Sequence, residues 1–311
     1  MIIGIDVSKD KLDVFNSSNG KHYVILNTKA SISSFFKNKL SMDEIKLVIF
    51  EATGGYEKRL LCYVLQQDIA YHKAHPLRAH RFAQCKGSFA KTDKIDAKML
   101  ALYGSGKDIV PDEKVSMIQL KIKEYSSRRN QLKGIITAET QRLKVVNVDK
   151  QITNSIKRSI KLNSRELELI SNKLKEIIQS CATLKNKYEL LQSAKGIGPE
   201  VASILVTDFS ELGKLSREQI SHLLGVAPQT KDSGKKRGYR SISQGRFYVR
   251  KALYMSALVA SRFDPRMKKF YEKLLAKGKA KKVALVAVMR KIIIMLNAMV
   301  KYNTPWQSER I

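Results

Sequence analysis

The first 76 residues of this chain alternate short apolar runs with turn signals and amphipathic stretches, and that alternation leaves few folds open. MIIGIDVS (1–8), KLDVFN (11–16), HYVILN (22–27) and KLVIFEA (46–52) read as strands, and IAYHKAHP (69–76) reads as a fifth, ended by Pro76. SISSFFKNKL (31–40) and EKRLLCYVLQQ (57–67) read as the helices between them. Apolar runs of four or five residues with helices interposed predict an α/β sheet covered on both faces.

Two of these strands end in an acid. Asp6 closes MIIGI and Glu51 closes KLVIF, and small or turn-forming residues follow each: Ser8 in one case, Thr53, Gly54 and Gly55 in the other. Carboxylates at the ends of neighbouring buried strands share a cleft at the edge of the sheet. Further along, KTDKIDAK (91–98) sets Asp93 and Asp96 three residues apart. On a helix these positions share a face, and two carboxylates there repel unless a cation lies between them. With Asp6 and Glu51 they complete a four-carboxylate pocket whose hard oxygen donors suit Mg²⁺ or Mn²⁺. Two such ions about 3.5–4 Å apart stabilise the attacking and leaving oxygens of a phosphodiester exchange. Taken singly, each acid also has a local lysine: Lys9 for Asp6, and Lys91, Lys94 or Lys98 for the pair. Exposed ion pairs of that kind are common and weak. Asp13 falls one strand later, where alternation is expected to put it on the outer face.

Residues 112–191 change character, with Gly134 the one glycine, no proline, and many Lys and Glu. Leu167, Ile170, Leu174, Ile177, Cys181, Leu184, Tyr188 and Leu191 step by alternating threes and fours, a coiled-coil spacing. The earlier run Ile118, Ile122, Tyr125, Leu132, Ile136, Leu143 and Val146 is interrupted by Arg129 and Glu139. Two long helices are expected, joined by a turn around 147–163, with Asn163 and Glu166 capping the second. They pair with each other or with a second chain.

Past residue 192, LQSAKGIGPEVASILV reads as helix, tight Gly-Ile-Gly turn and helix, and Ser216 as the N-cap of SREQISHLLGVAP. Backbone amides at such a turn can hold a DNA phosphate. KDSGKKRGYRSISQGR (231–246) lacks an apolar period and reads as a loop or hairpin, followed by helices over 247–262 and 268–302. The apolar run 283–300 is split by Arg290 and Lys291, which favours a buried helix over a membrane span. The N-terminus reads as a strand rather than a signal peptide. Cys62, Cys85 and Cys181 are scattered, which predicts a reducing compartment and no disulfide framework.

Charge narrows the partner. Lys and Arg total 58 against 28 Asp and Glu, a formal net charge of +30. The surplus is uneven: residues 1–110 carry 17 basic and 11 acidic side chains, residues 231–301 carry 20 and 3. So one-sided a field points to a polyanion, above all nucleic acid. Within DSGKKRGYR, Lys235, Lys236, Arg237 and Arg240 would neutralise a phosphodiester, Gly234 lets its backbone approach, and Ser233 offers a hydroxyl. Ser241 and Ser243 lie in the same loop and are alternatives. Arg246 and Arg250 are expected to line a helix face toward nucleic acid, with Tyr239, Phe247 and Tyr248 interleaved for stacking.

The ordered set of motifs resembles a known family. GIDVSKDKLDV, FEATGGYE and KTDKIDAKMLA at one end, with GIGPEVASIL, HLLGVAP, DSGKKRGYRSISQGR and VRKALYMSAL at the other, are similar to the DEDD transposases of bacterial and archaeal insertion sequences, the bridge-RNA-guided recombinases. The resemblance spans essentially the whole chain. It implies an N-terminal RuvC-like domain of the RNase H type, with Asp6, Glu51, Asp93 and Asp96 as its metal-binding tetrad. It also implies that Ser233 is the nucleophile of a C-terminal transposase domain, acting on DNA through a covalent phosphoserine intermediate in a composite site built with the acids. The expected partners are donor and target DNA, a structured non-coding guide RNA, and further copies of the chain: a dimer, and a tetramer on DNA. The expected location is the cytoplasm, at the nucleoid.

The expected organisation is therefore an α/β domain over 1–110, a coiled-coil arm over 111–191 and a mainly α C-terminal domain over 192–311. Two other readings stand beside it: a metal-dependent junction endonuclease using water, and a non-catalytic nucleic-acid-binding protein. An actin-like kinase, which also begins GIDVS, is excluded by the lack of a second Gly-rich phosphate hairpin.

Overall fold

The computed structural model describes residues 1–87, 92–145, 149–229 and 241–306. They form two compact units, Met1–Met117 and Ile118–Ile311.

The first unit is built on a mixed five-stranded sheet. Its strands are β1 (Ile2–Val7), β2 (Lys11–Asn16), β3 (His22–Leu26), β4 (Leu47–Glu51) and β5 (Tyr71–Ala74), in the order β3-β2-β1-β4-β5. β1 to β3 form an antiparallel meander, while β4 and β5 run parallel to β1. All five strands expected from the apolar alternation are present. Ile5, Val14 and Tyr23 are cross-strand neighbours on one face, and Tyr23 meets Phe35 edge-on at 5.2 Å, which puts α1 (Lys29–Lys39) on that side. α2 (Lys58–Gln66) joins α1 through Phe36 and Tyr63, ring centroids 5.0 Å apart. α4 (Asp93–Gly104) covers the opposite face across β1, β2 and β4. Both faces are covered, as expected.

α3 (Pro76–Cys85) was not expected: Pro76 does end β5, but it also sits in the first turn of a helix, where its missing N–H costs nothing.

Glycine sets how closely α4 approaches β1. A Cβ at Gly4 would overlap the Ala97 carbonyl oxygen and the Ala101 amide nitrogen and lie 2.9 Å from the Ala101 Cβ. Without that Cβ, the helix backbone rests directly on the strand two residues before Asp6.

The second unit is helical. α5 (Met117–Val145) and α6 (Lys150–Ser180) are the two long helices expected, but α6 begins well before the end of the 147–163 stretch expected to join them. α6 starts thirteen residues before Asn163, because Asp149 caps it by accepting from the Gln151 amide at 2.6 Å. Asn163 lies mid-helix, its amide donating to the Ser159 carbonyl at 2.8 Å. The two helices meet within the chain where Ile122 packs with Leu174 and Ile177. The phased apolar run does not stay on one helix: Cys181 takes an extended conformation and α7 (Ala182–Gln192) restarts beyond it. Arg129, an interruption by sequence, is buried and binds Asp208 at 2.9 Å with Ser203 and Thr207 nearby, tying α5 to α8 (Pro199–Asp208).

α9 (Arg217–Leu224) opens on the expected Ser216 cap, completed as a capping box by Gln219. α10 (Phe247–Phe263), α11 (Pro265–Ala276) and α12 (Lys281–Tyr302) complete the unit. Among the described residues α12 is the one helix long and apolar enough to cross a membrane. It is instead a core element, burying Leu285, Val288, Met289, Ile292, Ile293 and Leu296 against α7, α9, α10 and α11.

Candidate active site

The acidic cleft follows from register. β1 and β4 run parallel, with Gly4 opposite Ile49 and Ile5 opposite Phe50, so one step further Asp6 stands level with Glu51. Side chains alternate along a strand, so Asp6 shares the α4 face with Gly4 and Glu51 shares it with Ile49. α4 lies on that face and brings Asp93 and Asp96 in its first turn, behind Thr92, whose hydroxyl accepts from the Ile95 amide at 3.3 Å.

The structure thus gathers Asp6, Glu51, Asp93 and Asp96 on one face. The Asp6 carboxyl records the gathering: burial, then the negative charges of Asp96, Asp93, Asp13 and Glu51, push its pKa up from 3.8 to about 6. Among the described residues no three His, Cys, Asp or Glu side chains form a closed metal-ligand set. The donor chemistry nonetheless fits a hard divalent cation, because such an ion stabilises a carboxylate whose charged form is disfavoured by burial and by four neighbouring acids.

Asp13 is corrected. It pairs directly with Asp6 across the antiparallel β1–β2 ladder and therefore lies on the same face, buried, rather than on the outer one. His22 Nε2 holds it at 2.9 Å and Lys11 Nζ at 3.1 Å.

Lys11 is the residue the sequence reading missed. Its ammonium donates to Asp93 at 2.7 Å as well, bridging the helix acid to the strand acid. Hydrogen bonds to Asp93 and then Asp13 raise its pKa. Sequence offered Lys91, Lys94 and Lys98 beside Asp93; Lys11, two positions before Asp13 in β2, reaches it from across the unit. Period-two alternation of Lys11 and Asp13 was the available signal.

The loops carrying the strand ends are pinned by buried polar groups. Asn27 donates to the carbonyls of Ser8, at 2.9 Å, and Tyr56, at 3.1 Å, joining the turn after Asp6 to the TGGYE loop after Glu51. Glu57 accepts from the Gly55 amide at 2.9 Å and from Lys73 at 2.6 Å. Burial pulls the Glu57 carboxyl up, but Lys73 and the backbone amides outweigh it and hold the pKa below its ordinary value.

In the second unit, Ser233, Lys235, Lys236, Arg237, Arg240 and Tyr239 lie outside the described residues. The ends of their segment are defined. Gln229 and Ser241 form an antiparallel bridge, the Gln229 amide donating to the Ser241 carbonyl at 2.9 Å, and the Ser243 hydroxyl donates to Gln229 Oε1 at 2.6 Å. Gly225 and Gly245, both at positive φ, pack backbone to backbone just beyond; a Cβ on Gly245 would lie 2.6 Å from the Gly225 Cα.

Arg246 and Arg250 are both engaged within the protein. Arg246 binds the Asp208 carbonyl and the Glu211 carboxylate and stacks over Phe209, 5.3 Å from the ring centroid. Arg250 donates to the Gln244 and Gly225 carbonyls. Phe247 and Tyr248 are exposed and touch edge to face at 5.5 Å.

Comparison with known proteins adds to this geometry. Residues 3–146 match a family model described as a transposase, of the DEDD type of the IS110 element, and residues 188–272 match the model of the IS116/IS110/IS902 transposase family. The chain is 25% identical to the pilin gene-inverting proteins of Moraxella bovis and Moraxella lacunata, over 98% of its own length and 97% of theirs. It is also 27% identical to an uncharacterized 43.6 kDa protein of insertion element IS110 from Streptomyces coelicolor, over 38% of this chain and 30% of that one.

Proposed function

We propose that this chain, whose residues 3–146 and 188–272 match IS110-type transposase models, is an insertion-sequence transposase that cuts and rejoins DNA strands through the Ser233 hydroxyl, with Mg²⁺ or Mn²⁺ held by Asp6, Glu51, Asp93 and Asp96, under the guidance of a structured RNA. The observation that carries the metal half is the Asp6 carboxyl, pushed up to about 6 by burial and four neighbouring acids.

A bound divalent ion would supply Lewis-acid stabilisation of the attacking and leaving oxygens. The residues do the rest. Asp6 and Glu51 are held at adjacent strand ends by Asn27 and Glu57, so the donors keep their spacing. Lys11 pairs with Asp93 and Asp13 and so offsets part of the negative charge gathered at the site. Ser233 Oγ forms a bond to phosphorus as the bond to a deoxyribose oxygen breaks, giving a phosphoserine and a free hydroxyl end. Attack by a hydroxyl end on the phosphoserine reverses the step and restores the serine. Relatives named for inverting a pilin gene fit this chemistry, since an inversion must rejoin every strand that it cuts. The guide RNA rests on the family likeness and on the basic C-terminal third.

Ser233→Ala tests the reading. It should abolish denaturant-resistant protein–DNA adducts, with DNA binding by mobility shift unchanged. Adducts that persist in the variant reject the serine. Free cleaved ends with no protein-linked DNA in the wild type would select the water-using nuclease instead.

A further inference from the structure

Between α11 and α12 lies a pocket of about 360 Å³ with a charge pattern unlike the rest of the core it borders. Arg266, Lys269, Lys273 and Lys291 line it, and no carboxylate does. Its floor is Phe270 with Met267 and Met295. Among the described residues Lys269, Lys273 and Lys291 form no ion pair. Arg266 approaches Asp264 only at 3.9 Å, and that carboxylate is occupied in capping α11 through the Arg266 and Met267 amides. Arg266 Nη2 is buried without a hydrogen-bond partner. Lys291 sits over the Phe270 ring at 4.8 Å, and Arg266 over Trp306 at 5.0 Å.

Four like charges around one concavity repel, and an anion relieves them. The floor asks for something flat and apolar beside that anion. We propose that this pocket takes one nucleotide of a single strand: its phosphate lies among the four cations, and its unstacked base takes the Phe270 face that Lys291 covers in the free protein, Lys291 turning to the phosphate. The volume lies within the ordinary range for a small-ligand site, about 300–1,000 Å³. A base inside a duplex cannot reach such a floor, so the pocket selects single strands. The proposal rests on the reading that the chain acts on nucleic acid and adds a place where an unpaired strand is held. Single-stranded RNA and displaced single-stranded DNA share the chemistry required.

The test uses the full chain and fluorescent oligonucleotides of one sequence as single-stranded RNA, single-stranded DNA and duplex DNA, with binding read by anisotropy across a salt series. Lys273→Gln with Lys291→Met should weaken single-strand binding about 10-fold and make the salt slope shallower by about 1.4, two phosphate contacts' worth, with duplex binding nearly unchanged. Phe270→Leu should weaken single-strand binding about 5-fold with the salt slope intact, since it removes stacking and not charge. Lys157→Gln with Lys161→Gln, which removes the same charge from the exposed face of α6, is the control. A larger fall with RNA or with DNA assigns the strand. Equal losses in the pocket variant and the control, or duplex binding that falls in step, overturn the pocket while leaving the recombinase reading in place. A wild type that binds none of the three probes removes both.

Discussion

At the scale of single residues, Asp6 makes the sharpest statement. Its carboxyl is pushed up to about 6 from the ordinary 3.8 by burial and by Asp96, Asp93, Asp13 and Glu51. The folded protein therefore binds a proton at Asp6 that the unfolded chain has released between those values, and the contribution of Asp6 to stability falls as pH rises from about 4 to 6. The direction is opposite to that of a salt-bridged carboxylate. Asp6→Asn should flatten this dependence and raise metal-free stability at pH 7 by roughly 1 kcal/mol, a figure discounted for screening at a half-buried site. Thermal melts across pH with and without Mg²⁺ read both effects. Mg²⁺ should raise the wild-type melting temperature at pH 7 and leave the variant where it is. A variant whose melting temperature follows pH from 4 to 7 in parallel with the wild type would contradict the charge crowding. The sequence made Asp6, Glu51, Asp93 and Asp96 legible because two lie at the C-terminal ends of strands and two in the first turn of a helix. It hid Asp13 and Lys11, whose place depends on the β1–β2 register, a quantity fixed by the turn at 8–11 rather than by residue type.

At the scale of elements, short-range periodicity was a good guide where one face of an element is buried and a poor one where two elements compete for a boundary. Strand alternation located β1 to β5. The α6 start was missed because Asp149 caps as well as Asn163 would, and the residues between them carry no breaker. The break at Cys181 was invisible because the apolar phase runs on through it while the chain turns to bury Leu191 in the C-terminal core. How α4 reaches the sheet is also an element property, and it hangs on Gly4. Gly4→Ala places a Cβ into the Ala97–Ala101 backbone and must push α4 away. Overpacking of this kind costs about 1–3 kcal/mol, which urea unfolding would measure. Because α4 carries Asp93 and Asp96, the variant should also need more Mg²⁺ for the same thermal stabilisation. A loss of stability with an unchanged Mg²⁺ midpoint would separate packing from site assembly and refute the link.

At the scale of the whole molecule, the long helices leave apolar surface without cover. Leu162 and Leu169 on α6 stand one heptad apart and are exposed by 63% and 62%, and Ile152 on the same helix by 53%. The base of the α5–α6 pair is satisfied inside the chain by Ile122, Leu174 and Ile177, so these outer residues are not needed to hold that base together. Leucines at seven-residue spacing on an otherwise charged helix suit the seam of an intermolecular coiled coil, and we predict that they meet a second copy there. Burying them against a second copy removes apolar surface that a lone chain would expose to water. A net charge of +30 opposes that association, and a polyanion shared between copies relieves the repulsion. The expected state is thus an oligomer favoured by salt in the free protein and by nucleic acid at low salt. Leu162→Lys with Leu169→Lys should give a monomer by light scattering, both alone and on DNA, with an unchanged helical content by circular dichroism. It should also lose strand exchange between two DNA sites while retaining DNA binding. A wild type that is monomeric under every one of these conditions, or a double variant that still associates, would show that the exposed leucines serve no seam.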